Sequence, residues 1–108
     1  MTDEYDVEIY QTPDGNEPLT KWLESLKDRV AKRTILIRIQ RIRQGNFGDC
    51  DPVGDGLQEL RIHFGPGYRV YFANVGNKLV LLLGGGLKGD QKKDIKKCKN
   101  YLEEYKRT

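Results

Sequence analysis

Five residues in the middle of the chain have the types and spacing to act on a phosphate. Arg61 and His63 lie two apart, Arg69 and Tyr71 lie two apart, and Lys88 follows. Alternate residues of a strand share a face, so each pair projects to one side if its stretch is extended. Arg and Lys stay protonated at neutral pH, and a guanidinium can hold two phosphate oxygens at once. Histidine is the side chain that ordinarily titrates near neutral pH, and this chain has one, able to pass a proton. A tyrosine can donate a hydrogen bond or stack on a base. Together these could serve metal-free chemistry at a phosphate, which needs a group that takes a proton, cations that hold the extra negative charge, and a group that protonates the leaving oxygen. Plainer uses of the same residues stand beside this one. A lone histidine in a strand is often structural, and Arg61 and Arg69 can pair across strands with Glu59 and other acids.

For these side chains to converge, Leu57 to Lys88 must form three antiparallel strands. Gly65-Pro66-Gly67 marks the first turn and Gly76-Asn77 the second. Leu60, Ile62 and Phe64 then share one face, with Glu59, Arg61 and His63 on the other. Tyr68, Val70 and Phe72 likewise oppose Arg69, Tyr71 and Ala73. If the apolar faces share a core, Arg61, His63, Arg69 and Tyr71 lie together on a basic surface opposite it. Leu79 to Leu83 is apolar without alternation, as in a strand buried on both faces. Gly84-Gly85-Gly86 is expected to end that strand and let a backbone approach closely. It carries no G-x-x-x-x-G-K-[ST] phosphate-loop pattern.

The flanking stretches supply the rest of the frame. Tyr5 to Tyr10 alternates like a strand, with its acids on the outer face. Glu17 to Leu26 reads as a helix with Leu19, Trp22, Leu23 and Leu26 on one stripe, Asn16 as cap and Pro18 in the first turn. Trp22 is expected in the core. Asp28 to Arg43 reads as a second helix, capped by Asp28, with Ile35, Ile39 and Ile42 inward. Its length decides against the strand-like alternation within it. A short turn makes the two helices an αα-hairpin. Asn46 to Gly56 reads as a loop, and Asp90 to Tyr105 as a helix capped by Asp90 with Ile95, Cys98, Leu102 and Tyr105 inward. The expected order is β-α-α-β-β-β-α. The fold class is α+β: a small, twisted, largely antiparallel sheet with helices packed on the face of Ile62 and Val70.

A chain of 108 residues supports one core, so residues 1–108 are expected to be one domain. It is 37% apolar and 32% charged, with no apolar run long enough to span a bilayer. Its first residues are acidic and polar, so no signal peptide is expected. Cys50 and Cys98 lack metal or disulfide-framework spacing and fit a reducing cytoplasm, with no cofactor and no metal expected. Neither is a credible nucleophile. The net charge of +3 is unevenly spread. Residues 1–28 hold eight acids against two bases, and the rest holds 17 bases against eight acids. That suggests a polyanionic partner, with ordinary solubilising charge as the plain alternative. The lysine-rich last helix is either a solvated face or a contact for phosphates through residues such as Lys92 and Lys93.

Several stretches together resemble the RelE/ParE toxin superfamily, and most closely its HigB-like (Gp49-like) addiction module killer branch. They are LTKWLESL (Leu19–Leu26), ELR (Glu59–Arg61), GPGYRVY (Gly65–Tyr71), LLLGGG (Leu81–Gly86) with Lys88, and Gln91 with Asp94-Ile95. The likeness covers about Tyr5 to Tyr105. The resemblance implies a toxin of a type II toxin–antitoxin system. Its expected action is ribosome-dependent cleavage of mRNA that inhibits translation in the cytoplasm. Its expected partners are a helix-turn-helix (HigA-like) antitoxin, the ribosome and mRNA. ParE-like poisoning of DNA gyrase is the alternative, as is a non-catalytic nucleic-acid-binding module of phage origin.

The resemblance also implies roles. Arg69 matches the arginine of the family's G-Y-R segment, expected at the transition state, so Arg69→Ala is expected to abolish growth arrest and leave the fold intact. Lys88 sits where relatives carry a basic residue after the last strand. Arg61 and His63 fall near two lysines of RelE. Asp94 takes the place of RelE's catalytic tyrosine, so His63 with Asp94 is expected to share proton transfer. Tyr71, Lys92 and Lys93 are expected to bind the substrate.

Overall fold

The computed structural model describes residues 4–108. Asp3, counted among the leading acids, lies outside them. In chain order the elements are β1 (Asp6–Ile9), α1 (Pro18–Ser25), α2 (Arg29–Arg43), β2 (Cys50–Gly54), β3 (Leu57–Ile62), β4 (Tyr68–Gly76), β5 (Leu79–Leu87), a 3₁₀ turn (Lys88–Asp90) and α3 (Gln91–Arg107). The α+β class holds, with five strands in the order β1-β5-β4-β3-β2. All neighbours are antiparallel except β1, which runs parallel to β5.

The strand alternation sorts side chains as the sequence predicts, but helices cover both faces, not one. Leu60, Ile62, Tyr68, Val70, Phe72, Val80 and Leu82 pack with Leu19 of α1 and with Ile35, Ile39 and Ile42 of α2. On the opposite face Leu57, Tyr71, Ala73, Leu81 and Leu83 pack with Cys98 and Leu102 of α3. The apolar stripe of α3 needs a second surface to bury against, and the sheet's other face is that surface. The face expected to be open and basic is therefore largely roofed.

Three further expectations are corrected. Part of the Asn46–Gly56 loop is β2, an edge strand with a register shift between Pro52 and Gly54. Pro and Gly hide such a strand from a pattern search, yet both are tolerated at an edge or bulge. The second hairpin turns at Asn77-Lys78, one residue later than expected, with Lys78 at φ 58. β5 continues through Gly84–Gly86 to Leu87. A Cβ at Gly85 would overlap the Trp22 ring, one at Gly86 would overlap the Asp94 carboxylate, and one at Gly84 would lie 3.0 Å from Cys98 Sγ. The glycines thus admit α1 to one face and α3 to the other.

Helix caps differ in the same way. Asp28 accepts from the N–H groups of Val30 and Ala31 at 2.9 and 3.1 Å, as expected. At α1 the N-cap is Glu17 without a side-chain cap bond, not Asn16. Asp90 occupies the N-cap of α3, but its side chain caps nothing. No helix of the described residues is long and apolar enough to cross a membrane.

Candidate functional site

The register aligns the predicted residues in rows across the sheet. Arg61 pairs with Arg69, and Arg69 pairs with Gly86. Ile62, Tyr68 and Leu87 form the next row. Beyond it the Phe64–Gly67 turn closes with a 2.9 Å bond from Gly67 N–H to the Phe64 carbonyl, and Lys88 N–H donates to the Gly67 carbonyl at 3.1 Å. Gly67 lies at φ 90, where a side chain would be strained. His63 and Lys88 therefore flank one turn at one end of the sheet.

Arg69 does not reach solvent. It is 4% exposed and Glu59 is 3% exposed, and Arg69 Nε lies 3.7 Å from Glu59 Oε1. The Arg69 guanidinium also donates to the Tyr68 carbonyl at 3.1 Å. Glu59 is the hub of this buried cluster. Its Oε2 accepts from Tyr71 Oη at 3.3 Å and from Gln91 Nε2, at the start of α3, at 2.7 Å. Burial, followed by the negative charge of Glu59, pushes the Tyr71 phenol well above its usual range. Arg69 and Tyr71 thus hold a buried network, and the expectation that they face a substrate is corrected. Arg69 Nε itself has no hydrogen-bond partner.

Arg61 lies at the edge of this network, its side chain 28% exposed, with three carboxylates around it. Nε is 3.5 Å from Glu59, Nη1 is 3.1 Å from Asp49 Oδ1, and Nη2 meets Asp51. These acids raise the guanidinium pKa further, the hydrogen bond to Asp51 most of all. His63, 68% exposed, sits with Nε2 at 2.5 Å from Asp49 Oδ2. That hydrogen bond is the main reason the Asp49 carboxyl titrates below its usual range. From α2, Arg38 donates to the carbonyls of Arg61 and Phe47 at 2.8 and 3.3 Å and ties the loop that carries Asp49 to β3.

His63 and Asp94 are not brought together. Asp94 packs against Gly86 on β5, while His63 follows β3, and β4 lies between. Two strand spacings are about 10 Å. Asp94 instead lines an open groove of about 410 Å³ with Trp22, Gly84–Gly86, Lys93, Lys97, Cys98 and Tyr101. Burial raises the Asp94 carboxyl above its ordinary value and pushes the Cys98 thiol up to about 12. Trp22 is half-buried between that groove and the core, its ring centroid 6.2 Å from that of Tyr68. Lys88, Lys92 and Lys93 are exposed. No group of three or more His, Cys, Asp or Glu among the described residues is arranged to hold a metal ion.

The sequence reading missed Asp49, Asp51 and Arg38, and it singled out Gln91 only as part of the resemblance, with no role in the site. The two aspartates lie in a stretch without periodicity, and they meet Arg61 from 10 and 12 residues away. Glu59 carried a signal, because alternation put it on the same face as Arg61.

No protein-family profile matches the chain. A protein of Haemophilus influenzae, named only as an uncharacterized protein, is 52% identical over 83 residues, covering 77% of this chain and 84% of the relative.

Proposed function

We propose that this chain, which belongs to the same family as the Haemophilus influenzae protein, is the toxin of a type II toxin–antitoxin pair, a HigB/RelE-like ribosome-dependent mRNA endoribonuclease of the cytoplasm. The observation that supports this best is His63, open to solvent, held by Asp49 beside the Arg61 guanidinium. In this reading His63 takes the 2′-hydroxyl proton as the 2′-oxygen bonds to phosphorus and returns a proton to the 5′-oxygen that leaves, Asp49 fixes the imidazole, and Arg61 and Lys88 hold the phosphate. Lys92 and Lys93 track the RNA backbone. Arg69 and Tyr71 set the frame without touching substrate. A helix-turn-helix antitoxin is the proposed neutralising partner.

The test is induction of the chain alone in cells, with mRNA 5′ ends mapped alongside DNA breaks. New mRNA ends that disappear in folded His63→Gln support the reading. Undiminished ends in that variant move the chemistry elsewhere. Burial of Arg69 favours a second reading, a ParE-like gyrase inhibitor that needs no catalytic side chain. It predicts DNA breaks with mRNA left whole. A nucleic-acid-binding module predicts neither, nor growth arrest.

A further inference from the structure

β5 is longer than the strand beside it. β1 pairs with it only from Leu79 to Leu82, and the last bond on that side runs from Tyr10 N–H to the Leu82 carbonyl at 2.9 Å. The chain then leaves the sheet, because Tyr10 packs on Tyr101 and Tyr105 of α3, with ring centroids 5.3 and 6.5 Å away. β5 runs on to Leu87 with β4 along its other edge. Residues 83–87 therefore have no strand on the β1 side. Their register with β4 is continuous from Gly84 to Leu87, and Lys88 N–H donates toward β4, to the Gly67 carbonyl. Main-chain groups alternate in direction along a strand, so the N–H and C=O of Gly85 and Leu87 point away from β4. They point into the groove of about 410 Å³, walled by Pro18 and Trp22 of α1 and by Asp94, Lys97 and Tyr101 of α3. Neither a ladder nor any other hydrogen bond among the described residues reaches them there. Gly85 is half-buried and Leu87 is exposed.

We propose that this notch takes an extended segment of a second polypeptide as an added strand of the sheet. A bare edge of N–H and C=O groups is a template for another main chain. The usual guards of an edge, charged residues and proline, are missing from Gly84 to Leu87. Side chains of the added strand would alternate, apolar ones toward Pro18 and Trp22 and polar ones toward Asp94 and Lys97. The repeat selects a polypeptide. Gly85 and Leu87 offer the same donor–acceptor pair twice, about 6.8 Å apart, which is the repeat of a partner strand. An RNA base needs an open ring to stack on, whereas the Trp22 ring lies against Gly85 and Tyr68. The notch also selects a segment free of its own fold. Its floor lies one strand, about 4.8 Å, inside the outer edge of β1. A folded second copy brings only β1 and β2 as edges, each held in its own sheet, and its helices would meet α1 and α3 before either strand entered.

The proposal does not rest on RNA cleavage, since the pairing groups are main-chain groups of β5. Its test is amide hydrogen exchange, read residue by residue by NMR on the isotope-labelled full chain. In the free protein Gly85 and Leu87 should exchange fast, while Gly84 and Gly86, bonded to β4, are protected. The probe is a pool of peptides about seven residues long, with Val, Ile or Leu at alternate positions and Ser, Thr or Asn between them. At about 1 mM the pool should slow exchange at Gly85 and Leu87 by about tenfold or more. The same pool with every amide N-methylated should leave both unchanged, because it cannot donate to a strand. Leu87→Pro removes one N–H from the notch at a φ of −85, near the range proline adopts. It should keep the melting temperature and lose the slowing at Gly85, and if it fails to fold the N-methylated pool on wild type still decides. His63→Gln should take up the pool as wild type does, whatever it does to RNA. Protection of Gly85 and Leu87 in the free protein, no slowing by the pool, or equal slowing by the N-methylated pool overturns the proposal. So does slowing by oligouridine in place of the pool, or slowing that grows with protein concentration alone, which would give the notch to a second copy.

Discussion

Glu59 and Arg69 form the buried pair on which the candidate site is mounted, and a double-mutant cycle measures that role. At 3.7 Å and an effective dielectric near 20, their attraction is about 4 kcal/mol before desolvation is subtracted. Removing one member strands the other charge in the interior, which typically costs about 3–5 kcal/mol. Glu59→Leu should therefore destabilise the chain by about that much, because it leaves Arg69 without a carboxylate and removes the acceptor for Tyr71 and Gln91. A domain of this size has about 5–15 kcal/mol in total, so the melting temperature should fall by on the order of 15 °C. Arg69→Met should cost less, about 2 kcal/mol, since Arg61, Tyr71 and Gln91 still satisfy Glu59. The double variant should be no worse than Glu59→Leu alone, with a coupling of about 2–3 kcal/mol. Urea unfolding followed by circular dichroism reads all four corners. Additive losses, or a Glu59→Leu cost below about 1 kcal/mol, would refute the buried pair. The cycle also tests function. If Arg69 only braces the sheet, the folded double variant keeps RNA-directed activity. If Arg69 contacts phosphate, every Arg69 variant loses it.

Three further outcomes follow from local geometry. Gly85→Ala should cost at least about 1–3 kcal/mol, because its Cβ would overlap Trp22 and crowd the Arg69 carbonyl at 3.0 Å; Gly89→Ala, with nothing within 4 Å, is the neutral control in the same thermal melts. Asp28→Ala should destabilise by about 1 kcal/mol through loss of the α2 cap, seen as a lower urea midpoint with an unchanged slope. Burial raises the Asp94 carboxyl, so the stability linked to its proton is present below the ordinary carboxylate range and lost as pH rises through the folded value. Asp94→Asn should melt higher than wild type at neutral pH, with the gap closing below about pH 4. The charge of Asp94 in the first turn of α3 opposes this by about 0.3–1 kcal/mol, and a lower neutral-pH melt would show that the helix term wins.

The parts of the fold legible in the sequence were those with a period. Leu19 and Leu23 of α1, the isoleucines of α2 and the alternating residues of β3 and β4 all sit where spacing alone puts them. What alternation cannot state is what lies above a face. Arg61, Arg69 and Tyr71 do share a side of the sheet, with His63 just past the end of β3, but α3 closes over part of that side, so Arg69 and Tyr71 are buried while Arg61 and His63 reach water. Spacing within a strand carries no information on which distant helix roofs it. Nor does it carry the pairing of Asp49 and Asp51 with Arg61, which depends on β2, an edge strand broken by Pro52 and Gly54. The glycine run was legible as a close approach, but not that Trp22 and Asp94 make it.

The three carboxylates on Arg61 are not equivalent, and the difference bears on whether this guanidinium can serve an incoming anion. Glu59 is buried and fixed by two other donors, whereas Asp49 and Asp51 are exposed. A phosphate approaching from solvent meets Asp51 at the outer edge of the fork and must replace it. That exchange swaps one anion for another at the same nitrogen, so it is close to balanced, and solvent screening keeps an exposed ion pair weak. Asp51→Asn should therefore tighten binding of a short RNA by up to about fivefold at low salt, and the gain should shrink as ionic strength screens it. Asp49→Asn should behave differently, because it also releases His63: binding tightens while cleavage falls. If Asp51→Asn leaves RNA affinity unchanged or weaker, Arg61 is a structural cation locked to its own loop, and the phosphate must be held by Lys88 and the lysines of α3.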